Sequence, residues 1–429
     1  MSLKNKKKFC YICLSDDILS KSNFQLIHKA SKYGNVIVGL MSDKAIIEYK
    51  SYPLLDYSQR KIIAQNLKNV HTVVEQKTRD YTDNLNFFKP DYVIHKKNQW
   101  ANGIQKQIRK KIIKTIKNWS GKLIEPDIKI GKDETFFAFN SNFRRNKLKR
   151  LINSKDIVRC LEAHNSLSGL IVEKLKIKKR DKIDEFDAMW CSSLADSAIR
   201  GKPDNQSVDL SIRINALNDI LETTSKPIIF DADNGGLIDQ LPFTIKNLER
   251  MGISAIVLED KVGIKKNSLF DNQDDAKQDS IKNFSKKLSI ASRARDYKEL
   301  LIVARIESFI LGKGLNDALK RANSYSKAGA DMILIHSKDK TPKEIFSFSK
   351  IFQKSKYYKP MICVPSTYSN THEKQLIKNG FKVVIYANQL LRSIYPAMVN
   401  TAKSILVNKK SKKIENKISS VKDIISLIS

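Results

Sequence analysis

The chain has 429 residues, more than one typical domain needs, and 41% of them are hydrophobic, enough for two buried cores. No run approaches the ~18 apolar residues of a membrane span, and Met1-Ser-Leu-Lys-Asn-Lys-Lys-Lys8 does not read as a secretory signal, so a cytoplasmic protein is expected. The balance of 78 basic against 45 acidic residues gives +33, but the lysines are spread along nearly the whole chain, and neither Arg109-Lys-Lys111 nor Arg144-Arg-Asn-Lys-Leu-Lys-Arg150 is accompanied by aromatic interleaving or zinc-finger spacing, so the expectation is a solvated surface that attracts small anions rather than a nucleic-acid binder.

Residues 1–135 read as a first domain. Strands are expected at 9–14, 35–40, 91–94 and 122–125, and helices at 23–33, 58–67 and 104–119. Such alternation implies a parallel, doubly wound, Rossmann-like sheet. Cys10 and Cys13, two of five cysteines, form a C-x-x-C inside the first strand. A strand points residues three apart to opposite faces, so buried thiols are expected rather than a zinc pair or redox turn.

Four words of this domain, Val38-Gly-Leu-Met-Ser-Asp43, Tyr57-Ser-Gln-Arg60, Lys89-Pro-Asp-Tyr-Val-Ile-His95 and Glu125-Pro126, resemble the cytidylyltransferase-like nucleotidyltransferases. That family carries His-x-Gly-His after its first strand, where this chain has Ser20-Lys-Ser-Asn23. Ile130-Gly-Lys-Asp-Glu-Thr135 stands where an Ile-Ser-Ser-Thr signature belongs, and Lys96-Lys-Asn98 replaces the acidic pair after His95. The resemblance therefore implies a degenerate domain of structural or regulatory service, with retained nucleotide binding as the alternative. His28 reads as a packing or surface histidine.

Residues 136–154 are polar and basic and read as a connection. Between 155 and 405, eight short apolar runs recur, at 157–161, 188–191, 227–231, 255–258, 301–304, 332–335, 361–364 and 382–386. A helical stretch follows each, for example 244–250 and 315–328. Eight such units predict a (β/α)8 barrel of TIM type, followed by a helical tail at 406–429. Polar residues stand just past every run: Glu162 with His164 and Asn165, Ser192 and Ser193, Asp231 with Asp233, Glu259 with Asp260, Arg305 with Glu307, His336 and Ser337, Ser366 and Thr367, and Asn388. In such a barrel these ends share one mouth, where the chemistry sits.

Asp231, Asp233 and Glu259 are expected to face one another there. Two like charges ~4 Å apart repel by roughly 4 kcal/mol at an effective dielectric near 20, so a counter-cation is expected. Oxygen ligands without a His/Cys cluster suit Mg²⁺, which takes one or two protein carboxylates and keeps waters. Arg305 and His336 add positive charge for an anionic substrate. The residues alone thus predict a Mg²⁺-dependent barrel acting on a small, highly charged anion.

The words Leu161-Glu-Ala-His-Asn-Ser-Leu-Ser-Gly-Leu170, Trp190-Cys-Ser192, Gly201-Lys-Pro-Asp204, Asp231-Ala-Asp-Asn-Gly235, Glu259-Asp-Lys261 with Asn267-Ser268, Ala304-Arg-Ile-Glu307 and His336-Ser-Lys338 resemble the phosphoenolpyruvate mutase family. This is the phosphonate-forming branch of the isocitrate lyase superfamily, and the likeness runs from about residue 155 to 400. Ser420-Val-Lys-Asp-Ile-Ile425 resembles its C-terminal helix. The lyases carry a Lys-x-Cys-Gly-His word that is missing here. Residues 259–268 fit the mutase word Glu-Asp-Lys-x5-Asn-Ser, whereas phosphonopyruvate hydrolases differ at the Asn position.

The resemblance implies an isomerase that interconverts phosphoenolpyruvate and 3-phosphonopyruvate, with Mg²⁺ held directly by Asp231 and through waters by Asp233, Glu259 and Asp204. Arg305, His336, Asn267, Ser192 and Trp190 would bind the anionic groups. Ser268 and Lys265 would close with their loop over the site, and Asp204 would be a phosphoryl acceptor or an electrostatic wall. Glu307, Lys338 and Lys261 read as a supporting network. A homodimer or homotetramer paired through the C-terminal helix is implied. Phosphonopyruvate hydrolase, or another lyase of the superfamily, is the alternative.

Overall fold

A computed structural model describes residues 8–15, 21–48, 53, 55–97, 103–128, 141–179, 182–263, 265–269, 273 and 276–428. Ser20, Asn98 and 130–135, singled out above, lie outside the described residues, as does 136–140 of the expected connection. The chain divides into two compact units, residues 1–138 with 176–184, and residues 139–175 with 185–429.

The first unit holds a five-stranded sheet of β1 (Phe9–Leu14), β2 (Asn35–Met41), β3 (Val70–Gln76), β4 (Tyr92–Ile94) and β5 (Lys122–Ile124). Its order is β3-β2-β1-β4-β5 and every pair is parallel. Period-two alternation splits the core into two faces. Cys10, Ile12 and Leu14 pack with Leu26 and Ile27 of helix Lys21–Ser31, while Tyr11 and Val93 pack with Ile108, Ile112 and Ile116 of helix Gly103–Lys117. Cys10 and Cys13 therefore diverge and are free thiols, and burial pushes both up to about 12. Strand β3 was not expected from the sequence. It is an edge strand with only Val73 and Gln76 buried, so it lacks the apolar run that marked its neighbours.

The second unit begins its strands with β6 (Val158–Glu162); the chain then forms a two-stranded sheet of β7 (Lys176–Lys179) and β8 (Lys182–Glu185), which apart from Glu185 falls in the first unit. Then come β9 (Ala188–Cys191), β10 (Ile228–Asp231), β11 (Ala255–Glu259), an antiparallel pair of β12 (Lys261–Val262) and β13 (Lys277–Gln278), β14 (Leu301–Ile306), β15 (Met332–Ile335), β16 (Met361–Cys363) and β17 (Phe381–Tyr386). Among the described residues, β6, β9, β10, β11 and β14 to β17 close in chain order into a parallel barrel, with β17 pairing back to β6. These are the eight expected strands. They read as unbroken apolar runs because both faces are covered; all five residues of β11 are buried. The surrounding helices turn apolar stripes inward, as with Leu241, Ile245 and Leu248 of helix Leu241–Met251.

The expected connection is corrected from Ser141 onward. Ser141–Ser154 is a helix of the second unit, burying Leu148, Leu151 and Ile152. Arg144 and Arg145, which made the stretch look like solvated chain, are buried too. Arg144 Nη2 donates to Leu221 O at 2.9 Å and also to Thr224 O, and Arg145 Nη1 donates to Glu249 O at 2.7 Å. Those carbonyls end helices Leu210–Thr223 and Leu241–Met251, where orphan acceptors and the negative end of the dipole favour a cation. Gly252, at φ +86°, ends the latter helix. A Cβ there would lie 2.6 Å from Ser141 Cα, so the close approach requires glycine.

The chain ends in helices Gln389–Asn408, Lys412–Glu415 and Val421–Ile428. Gln389–Asn408 buries none of its residues and exposes Tyr395, Met398, Leu406 and Val407. No described helix is long and apolar enough to cross a membrane.

Candidate active site

The C-terminal ends of the barrel strands carry the expected polar groups, and the structure sorts them into two charge clusters. The first forms around Asp231 and Asp233. Asp231 closes β10, and its carboxylate accepts from Ser193 Oγ at 3.2 Å and from Asp233 N at 3.2 Å. Asp233 is held at φ +52°, a conformation Asp tolerates better than most residues, and its carbonyl accepts from Glu259 N at 2.8 Å. The tips of β10 and β11 are thereby locked together.

Lys265 is the hub of this cluster. Its ammonium donates to Asp204 Oδ1 at 2.7 Å and also to Asp233 Oδ1 and Ser193 Oγ. Burial acts to lower its pKa, but Asp233, Asp231 and Asp204 outweigh that and hold it above the usual lysine range. Burial likewise acts to raise the Asp231 carboxyl, and Lys265, Arg305 and Arg213 outweigh it in the other direction.

Arg213 was missed in the sequence. Its guanidinium donates to Asp196 Oδ2 at 2.9 Å, Asp233 Oδ2 at 3.0 Å and Asp231 O at 2.6 Å. It lies on helix Leu210–Thr223, away from the strand ends where polar residues were sought. A signal existed: Arg213 shares the inward stripe with Leu217 and Ile220, and a lone cation on an apolar stripe needs buried partners.

The second cluster is Arg305, Glu307, His336, Lys261 and Ser268. Arg305 Nε donates to Glu307 Oε1 at 2.5 Å, and its Nη2 donates to Ser268 Oγ at 3.0 Å and lies 3.0 Å from His336 Nδ1. Ser268 Oγ donates to Glu307 Oε2 at 2.5 Å and accepts from Lys261 Nζ at 2.9 Å. Burial and the Arg305 charge push the His336 imidazole below its ordinary value, which favours its neutral form. Behind this layer Asp260 is fully buried and accepts from Tyr325 OH at 2.8 Å, Gln278 Nε2 at 2.8 Å and Glu307 N at 3.0 Å. It anchors the wall and does not face the cavity.

A cavity of about 60 Å³ lies between the clusters, lined by Trp190, Ser192, Asp231, Glu259, Asn267 and His336 among others. A larger one of about 950 Å³ shares Asp204, Lys265, Asn267 and Asn388 with it. Asn267 Nδ2 donates to Asp204 Oδ2 at 2.7 Å, so the loop after β11 reaches across to the segment after β9.

Asp231 was expected to hold a cation directly, with Asp204, Asp233 and Glu259 reaching it through waters. Lys265 pairs with Asp204 and Asp233, and Arg213 pairs with the second oxygen of Asp233. Among the described residues no three His, Cys, Asp or Glu side chains stand close enough to hold a metal unaided. Two carboxylates are left for that role, Asp231 and Glu259, both buried and both lining the cavity. Glu259 lies 3.6 Å from the Arg305 guanidinium, and burial pushes its carboxyl up to about 7. A buried carboxylate so poorly compensated calls for a cation. These two carboxylates form an all-oxygen pair that fits Mg²⁺ completed by waters and substrate.

Residues 148–406 match the family described as phosphoenolpyruvate phosphomutase. The phosphoenolpyruvate phosphomutase of Tetrahymena pyriformis is 35% identical over 67% of this chain and 92% of its own length. The phosphonopyruvate hydrolase of Variovorax sp. (strain Pal2) is 31% identical over 65% of this chain and 93% of its own length. Among solved structures, the phosphoenolpyruvate phosphomutase of Streptomyces platensis subsp. rosaceus aligns with a TM-score of 0.60 at 29% identity, covering 66% of this chain and 93% of that one. A phosphonopyruvate hydrolase in complex with oxalate and Mg²⁺ aligns with a TM-score of 0.59 at 29% identity, covering 66% and 94%.

Proposed function

Because the chain belongs to the phosphoenolpyruvate phosphomutase family, we propose that it interconverts phosphoenolpyruvate and 3-phosphonopyruvate, moving a phosphoryl group between the enolate oxygen and the neighbouring carbon. The observation that supports this most is the Asn267–Asp204 hydrogen bond of 2.7 Å, beside the Lys265–Asp204 contact of 2.7 Å. These bonds draw residues 265–268 down to the cavity, so a carboxamide and an ammonium stand where a transferring phosphoryl group would pass.

Phosphoryl transfer asks for positioning and charge neutralisation more than covalent chemistry. Arg305 and Ser192, with His336, offer donors to the carboxylate and phosphoryl oxygens. Glu307 keeps Arg305 and His336 oriented, and the buried Asp260 keeps Glu307 in place through its backbone N–H. Asp231 and Glu259 would hold Mg²⁺, which when bound polarises the enolate oxygen. Trp190 and the 265–269 segment wall the site from water, which would otherwise divert the phosphoryl group to hydrolysis. Asp204, tied to both Lys265 and Asn267, reads in this arrangement as an electrostatic wall.

The test is ³¹P NMR of the purified protein with phosphonopyruvate and Mg²⁺. Growth of the phosphoenolpyruvate resonance is expected. Inorganic phosphate in its place would mean a phosphonopyruvate hydrolase, the reading its 31% identity to the Variovorax enzyme keeps in view. Asn267→Thr is expected to raise the phosphate share of the products several-fold, since the carboxamide no longer blocks water. An unchanged product ratio would remove Asn267 from that role.

We also infer assembly through helix Gln389–Asn408, which buries none of its residues and exposes the apolar side chains of Tyr395, Met398, Leu406 and Val407, as helices that pair with another chain do. Light scattering on the full chain should return a dimer or tetramer mass; a monomer at assay concentration would discard this.

A further inference from the structure

Helix Gln389–Asn408 begins at the barrel mouth directly after β17, and Asn388 is its N-cap residue. An asparagine there ordinarily turns its side chain back to accept from an amide two or three residues on. Asn388 makes no such bond. The amide three residues on, Leu391 N, donates instead to Glu162 Oε1 at 2.7 Å, from the tip of β6. Glu162 is fully buried, with His164 Nδ1 3.2 Å from the same oxygen. A carboxylate suits the positive end of the helix better than a carboxamide does. The first barrel strand has therefore taken over the cap, and the asparagine is released from it.

The released side chain goes to the cavity. Asn388 is 6% exposed and lines the cavity with Trp190, Ser366 and Asp231. Among the described residues its Oδ1 has no hydrogen-bond partner, and neither has Trp190 Nε1. A buried amide end left unmatched is costly unless something else pairs with it. A half-turn about the terminal torsion exchanges the two ends of a carboxamide, so either an acceptor or a pair of donors can be presented.

We propose that Asn388 is a substrate-contacting residue, its carboxamide donating to an anionic oxygen of the substrate beside Trp190, and that Glu162 is the positioning residue that frees it by capping the helix in its place. This rests on the phosphonate chemistry proposed above, through the anionic oxygens it supplies. No bond is made or broken by either residue; both act on binding and orientation.

The experiment uses the full chain with Mg²⁺. Turnover of phosphonopyruvate is followed by ³¹P NMR, and apparent affinity is taken from the rise in melting temperature with phosphonopyruvate concentration. Asn388→Ala is expected to weaken affinity about 10- to 100-fold, as for a lost hydrogen bond to a charged group, with little change in the melting temperature of the ligand-free protein. Glu162→Ala leaves Leu391 N open, so Asn388 swings back to cap it and a similar loss follows. Glu162→Gln keeps an acceptor and should recover most of what Glu162→Ala loses. The double variant E162A/N388A should be no worse than either single one, because both remove one contact. Unchanged affinity in Asn388→Ala overturns the inference while leaving the proposed reaction standing, and losses that multiply in the double variant overturn the role of Glu162. A wild-type protein that binds phosphonopyruvate without turning it over, with Asn388→Ala still weaker, supports the contact and defeats the proposed reaction. A wild-type protein that neither binds nor turns it over defeats both.

Discussion

Asp231→Ala is expected to lower kcat/KM by at least about 10³, the several kcal/mol that a Lewis acid and its charge stabilisation supply. Several elements converge on Asp231. Ser193 and the Asp233 amide orient its two oxygens, and Lys265, Arg305 and Arg213 hold it ionised against burial. The substitution removes the charge and leaves three cations facing a smaller deficit. Asp231→Asn keeps the volume, so a comparable loss there would separate charge from packing. Steady-state ³¹P assays over a Mg²⁺ titration, beside the melting curve of each variant, make the comparison. Full activity in the alanine variant would falsify the metal assignment.

Lys265→Met is expected to cost about 10² to 10³ in kcat, the range seen when a preorganised electrostatic donor is deleted. Deleting one partner of a buried ion pair ordinarily destabilises by about 3–5 kcal/mol. The loss here should be smaller, because Arg213 still lies 3.0 Å from Asp233 and Asn267 still donates to Asp204. Activity should therefore fall much further than melting temperature. Lys265→Arg should not restore it: an ammonium reaches Asp204, Asp233 and Ser193 as a point charge, whereas a planar fork cannot meet three acceptors set around one atom. A variant that melts far earlier but keeps its kcat would make Lys265 a structural residue only.

The barrel was legible in the sequence for a physical reason. Strands covered on both faces are written as short continuous apolar runs, and all eight were found. Edge strand β3, half exposed, carried no such run and was missed. Polar residues at strand ends pointed to the cavity they line because a TIM-type barrel brings those ends together. The pairing among them could not be read. Asp231, Asp233 and Glu259 look alike in a string of letters. Only the fold shows that Asp233 is neutralised from both sides, while Glu259 is left with an arginine at 3.6 Å. Arg213 was passed over because a helix lies outside the place where barrel chemistry is sought. The arginines at 144 and 145 were misread because a basic cluster suggests solvent, whereas these are consumed by helix-end carbonyls.

Those two arginines also decide where the catalytic half begins as an inheritable piece. The first barrel strand starts at Val158, yet the ends of helices Leu210–Thr223 and Leu241–Met251 are closed by side chains that precede it. The family match begins at residue 148, inside the same helix. A gene fusion or a shortened chain that parts the two units upstream of Ser141 hands on a barrel with its helix ends satisfied. A joint placed at residue 155, where the polar stretch ends, hands on one with buried carbonyls stripped of their donors. The seam between the two halves of this protein is thus set by hydrogen-bond accounting rather than by where the strands begin.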